Sequence, residues 1–130
     1  TGSTFDYVDH VVEVKLAYLD AGWFGYSDLF VRAIFCNLLI NLAMAVVYNG
    51  SVRSGLGKAL AMWASVIVFV VMGLEHSVAN AGLFLSYGLV APLDWGAAAV
   101  AVTVAFLGNT VGGALFVGIP YAYLSDHAGA

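Results

Sequence analysis

Eight consecutive residues, Gly73-Leu74-Glu75-His76-Ser77-Val78-Ala79-Asn80, set a carboxylate, an imidazole, a hydroxyl and an amide side by side. An apolar run from Leu56 to Gly73 precedes them, and a second, Ala81 to Val90, follows. The cluster therefore belongs within or near an apolar medium. An ionisable side chain there costs about 3 kcal/mol on insertion scales and faces a cavity or a partner. Imidazole, with an ordinary pKa of about 6.5, suits proton exchange near neutral pH. Two readings follow from these residues. One is a transport or proton-relay site at an interrupted helix, whose freed backbone groups require protein or a water-lined path. The other is an interfacial loop in which Glu75 and His76 rest among lipid head groups. A redox anchor fits poorly, because His76 is the only histidine at expected membrane depth. The single Cys36 excludes a disulfide within the chain and a Cys-rich metal site. No cofactor and no metal is expected.

The elements that must hold this cluster are legible in composition. Of 130 residues, 62% are hydrophobic and 9% are charged, with a formal charge of −4. Twelve charges cannot coat a soluble domain of this apolarity. Disorder is excluded by the same apolarity, and nucleic-acid binding by the lack of a basic stripe. An integral membrane protein remains. A spanning helix needs about 20 mostly apolar residues, and three stretches qualify: Leu29–Tyr48, Leu56–Gly73, and about Trp95 to Tyr123. Residues 1–28 read instead as an interfacial N-terminal segment. Four of its acids, Asp6, Asp9, Glu13 and Asp20, alternate with valines, and Gly22 and Gly25 are expected to break the helix. Residues 29–124 form the three-helix membrane unit and 125–130 a C-terminal tail. No basic region with a small-residue cleavage site opens the chain, so no signal peptide is read there. Lys15 and Arg32 lie towards one side, Arg53 and Lys58 towards the other, so charge bias leaves the orientation open.

GLEHSVAN (Gly73–Asn80) closely resembles the signature G-F-E-H-S-x-A-N of the formate/nitrite transporters. RAIFCNLLINLA (Arg32–Ala43) and LGNTVGGALFVGIPYAY (Leu107–Tyr123) resemble two further segments of that family, in the right order. Leu38 and Leu74 stand where the family usually has Trp and Phe, which bears on packing and pore width. The resemblance implies an all-α integral membrane fold: three transmembrane helices, the middle one interrupted, forming half of the aquaporin-like transporter architecture. Family members carry two inverted repeats and assemble as pentamers. This chain resembles the second repeat, so the missing first repeat or a complementary chain is an expected partner, along with the lipid bilayer. The implied cargo is a small monovalent anion with protons, and the implied location is the prokaryotic inner membrane. No nucleic acid is involved and no enzymatic activity is expected. A non-conducting structural or assembly subunit is the alternative.

Residue by residue, the resemblance makes His76 the central pore histidine, in contact with substrate directly or through water. Lys15 matches a vestibule lysine, provided that Ala21–Ser27 are an insertion. Phe69, seven residues before His76, matches an aromatic of the hydrophobic constriction. Asn37 and Asn80 match family asparagines expected to hold the broken backbone, and Glu75 is expected to pair nearby or accept freed donors. Gly108-x-x-x-Gly112 reads as close helix packing. His10 and His127 match nothing in the family and are expected to be exposed.

Overall fold

The computed structural model describes residues 3–127, and these residues are helical with no strand among them. The tail expected over 125–130 lies in part outside the described residues, as does the side chain of His127. Helix α1 (Thr4–Asp20) starts at a capping box. The Ser3 hydroxyl accepts the Asp6 N–H at 3.2 Å and the Asp6 carboxylate accepts the Ser3 N–H at 2.6 Å. Gly22, at φ +59, turns the chain into α2 (Gly22–Tyr48). Helix α3 (Gly55–Val71) is capped by Ser54. Helix α4 (Ser77–Gly88) follows a non-helical stretch, and α5 (Trp95–Gly113) is capped by Asp94. A π-helical turn, Ala114–Gly118, carries α5 into α6 (Ile119–His127) without a break.

These elements revise the expected boundaries. Gly25 does not interrupt the helix. It lies inside α2 against α1, where an added Cβ would sit 1.7 Å from the Tyr18 carbonyl oxygen. Gly22–Ser27, most of the Ala21–Ser27 stretch expected as an insertion, are the first turns of α2, so no element boundary falls at residue 28. Two helices, Gly22–Tyr48 and Trp95–Asp126, are long and apolar enough to span a bilayer. The middle expected crossing, the one read as interrupted, is not a single long helix. Helix α3 has 17 residues, a rise of about 26 Å against a hydrocarbon core of about 30 Å.

The core lies where α2 crosses α5. Leu29, Phe84, Ala98 and Ala101 are buried there with Val12 of α1. Gly108 and Gly112 let the helix backbones meet, since a Cβ on them would stand 2.5 Å from the Phe30 carbonyl and 2.3 Å from that of Ile34. Elsewhere the helices present apolar faces outward, and α3 buries none of its residues. Only 17% and 28% of the two spanning windows are buried. A core helix of a soluble protein would be mostly enclosed, so these faces suit lipid or a partner helix. The molecule is a membrane protein.

Candidate functional site at a helix break

Helix α3 stops because Gly73 adopts φ +58, a left-handed conformation that glycine takes without steric cost. The Gly73 N–H reaches the Val70 carbonyl and the Leu74 N–H reaches that of Phe69, both at 3.1 Å, which closes a Schellman cap. Met72 to His76 are non-helical. The freed Met72 carbonyl accepts a hydrogen bond from the Arg32 guanidinium at 3.3 Å, with that of Gly73 at 3.5 Å. Arg32 is itself oriented by Asp28 at 2.9 Å and lies over the Tyr18 ring, 5.8 Å from its centroid. His76 starts α4 as its N-cap, its Nδ1 accepting the Val78 N–H at 3.3 Å. The interruption expected between two apolar runs is present, and its non-helical part ends at His76. Ser77 and Asn80 already belong to α4.

One side chain of α5 holds the far side of this break. Buried Asn109 donates to the carbonyls of Glu75 at 3.0 Å and Ala33 at 2.8 Å, and its Oδ1 accepts the Ser77 N–H at 2.9 Å. Asn37 donates to the Asn109 carbonyl, and Asn41 in turn donates to the Asn37 carbonyl at 2.7 Å. The broken backbone is therefore tied down by Asn109, while Asn37 bonds to the backbone of α5. Every buried side-chain N and O among the described residues has a partner, as an apolar surrounding demands.

Glu75 and Asn80 meet Lys15 in a second cluster. The Glu75 carboxylate accepts from Lys15 Nζ and from Asn80 Nδ2, each at 2.7 Å. The Glu75 side chain is 3% exposed and that of Lys15 18%, so the pair is well withdrawn from water. Both residues line a cavity of about 390 Å³ between α1 and the end of α3, together with His10, Tyr18 and Phe69. The Phe69 ring meets the His76 imidazole edge to face, centroids 6.4 Å apart. His76 is half-buried, and its Nε2 makes no hydrogen bond among the described residues. With Nδ1 accepting, a neutral imidazole carries its proton on Nε2, which leaves an N–H able to donate to an anion. A larger cavity of about 650 Å³, lined chiefly by Trp23, Tyr26, Phe30 and Leu107, holds no charged residue and suits lipid rather than an ion.

The structure thus joins Lys15, Glu75 and Asn80 directly, sets Phe69 beside His76, and links Asn37 to the break through Asn109. Two site residues escaped sequence reasoning, Asn109 and Arg32. Both carried a readable signal, a strongly polar side chain inside a long apolar helix.

The formate/nitrite transporter family model matches residues 2–123. The chain is 32% identical over 125 residues to the formate channel BtFdhC of Bacillus thuringiensis, covering 95% of this chain and 46% of that one. It is 34% identical over 110 residues to the nitrite transporter NirC of Escherichia coli (strain K12), covering 77% of this chain and 37% of NirC. It is 30% identical over 118 residues to the uncharacterized transporter YrhG of Bacillus subtilis (strain 168), covering 91% and 42%. The chain spans less than half the length of these relatives. No solved structure matches it. These relatives are named for transport rather than for catalysis, and on a match that takes in nearly all its residues the chain belongs to the formate/nitrite transporter family.

Proposed function

We propose that this chain is one half of a channel or transporter for small monovalent weak-acid anions of the formate or nitrite class. In this reading the α3–break–α4 unit is the interrupted middle crossing, and a first repeat supplies the opposite wall of the pore. The observation that carries the reading is the placement of His76. A titratable ring with an unbonded Nε2 stands at a helix break, beside an aromatic side chain and next to a cavity holding a lysine.

The chemistry follows from what the ion must cross. A bare anion is costly in an apolar constriction, whereas its conjugate acid is neutral and passes at far lower cost. Lys15, its charge balanced by Glu75, lines the vestibule, and the Nε2–H of His76 would meet the anion at the constriction by Phe69. A proton passing between imidazole and anion, directly or through water, removes the charge for the crossing. Glu75, Asn80 and Asn37 serve as framework. Assembly into a homo-oligomer, a pentamer by the family resemblance, in a prokaryotic inner membrane completes the proposal.

Reconstitution in liposomes tests it. The chain alone should leave uptake of labelled formate at background, and the chain joined to a first repeat should raise uptake well above protein-free vesicles. Background uptake from the completed, correctly inserted protein would overturn the transport reading. Robust uptake by the chain alone would overturn the half-pore reading in favour of self-complementing halves.

A further inference from the structure

The 390 Å³ vestibule offers an anion no unspent positive charge from Lys15, whose ammonium lies 2.7 Å from the Glu75 carboxylate. The other carboxylates of α1, Asp6, Asp9, Glu13 and Asp20, lie off the cavity wall and only add negative charge around it. An anion held inside therefore depends on a neutral hydrogen-bond donor, because a polar group that leaves water must recover the bonds it loses there. Tyr18 supplies one. Val11, Lys15 and Tyr18 line the cavity from one face of α1, with Tyr18 one turn beyond Lys15. Tyr18 is half-buried, and its hydroxyl makes no hydrogen bond among the described residues. Every buried side-chain oxygen among those residues has a partner, so this unpartnered one opens onto free space. Tyr7, the other tyrosine on the wall, is 68% exposed and stands at the rim.

We propose that the Tyr18 hydroxyl is the anion-binding donor of this vestibule: it gives an O–H···O hydrogen bond to a small monovalent weak-acid anion beside the balanced Lys15–Glu75 pair. The proposal deepens the transport reading above and rests on it. The ring is held in place from its face. The Arg32 guanidinium lies 5.8 Å from the ring centroid and is itself fixed by the Asp28 carboxylate and the Met72 carbonyl. A cation on that face draws electron density from the ring, which strengthens the O–H as a donor. Burial pushes the phenol's pKa above its ordinary value, against the opposing pull of Arg32, so the hydroxyl keeps its proton. A hydrogen bond from a neutral donor to a charged oxygen is roughly twice as strong as one between neutral groups. A donor whose orientation is already set costs little ordering when the anion arrives.

NMR of the chain in lipid nanodiscs, labelled at the hydroxyl-bearing carbon of its seven tyrosines, tests this, and Tyr18→Phe identifies one signal. Formate added near neutral pH should move the Tyr18 signal saturably. In Tyr18→Phe the affinity for labelled formate should fall about three- to tenfold, the effect of one lost hydrogen bond. That variant loses one oxygen and keeps the ring under Arg32, and unmoved signals from the other tyrosines confirm that its fold is kept. Unchanged formate affinity in Tyr18→Phe, or a Tyr18 signal that ignores formate while the His76 imidazole responds, overturns the proposal and leaves the transport reading standing. A response at Tyr18 with none at His76 upholds it and removes His76 from anion contact. Silence at both, or an equal shift with sulfate at matched ionic strength, overturns it as well.

Discussion

Glu75 and His76 share a peptide bond, yet they belong to two different regions of the break. Glu75 faces a closed region in which its carboxylate receives Lys15 and Asn80 and its carbonyl receives Asn109. His76 faces an open one, holding a single 3.3 Å bond from the Val78 N–H and an aromatic edge. The contrast separates two uses of polarity in an apolar medium. Groups that hold the fold have their bonding capacity filled, because each unpaired buried donor or acceptor costs about 1–3 kcal/mol. A group that handles a ligand must keep some capacity unfilled, and His76 is the one that does. Substitutions on the closed side should therefore register in stability, and substitutions on the open side in flux.

The largest stability loss is expected for Lys15→Met. It strands the Glu75 carboxylate with one amide partner, at a cost of about 3 kcal/mol for a buried charge left without its counterion. Adding Glu75→Gln should recover much of that loss, and a double-mutant cycle by denaturant unfolding in micelles reads the coupling. If the single variants are additive, the pair is a surface-like contact and the closed region is less closed than described.

Asn109→Leu comes next. Three hydrogen bonds vanish and the Ser77 N–H is left without its acceptor, for a loss of about 2 kcal/mol. Hydrogen exchange should speed up at Ser77 in particular, because its amide bonds to that side chain alone across the break. A uniform change along α4 would point to general loosening instead. Gly112→Ala should follow at about 1–2 kcal/mol, an overpacking penalty. Its Cβ would meet the Ile34 carbonyl at 2.3 Å and force α2 and α5 apart, which a distance measurement between spin labels on the two helices would register.

Much of this was legible in the sequence, for definite reasons. The helical membrane class is written in the composition, and the interruption in a polar cluster between apolar runs. His76, Phe69 and Lys15 were named from motif and spacing, and the structure sets Phe69 beside His76 and Lys15 on Glu75. What sequence reasoning missed were long-range choices. Nothing local says that Arg32 reaches the end of α3, or that Asn109 rather than Asn37 and Asn80 holds the broken backbone. Those bonds span 32 to 41 residues and depend on how helices cross. Gly25 misled for a related reason: a glycine breaks a helix or admits a neighbour, and only packing decides which. The middle span is shorter as a helix than hydropathy suggests because Gly73 ends α3 at Val71, through a backbone conformation rather than a change in hydropathy.

The smallest stability change is expected at His76, and it bears on the central claim. His76→Phe loses one weak bond and keeps a flat ring beside Phe69, so stability should move by less than about 1 kcal/mol. In the protein completed with its first repeat, the decisive measurement is uptake of labelled formate by liposomes from about pH 5 to 8, where imidazole titrates. Insertion of the variant is checked in parallel. The account predicts that His76→Phe inserts normally and either loses most of its uptake or loses the wild-type dependence on pH. A variant that inserts normally and keeps both the wild-type rate and the wild-type pH profile would contradict it.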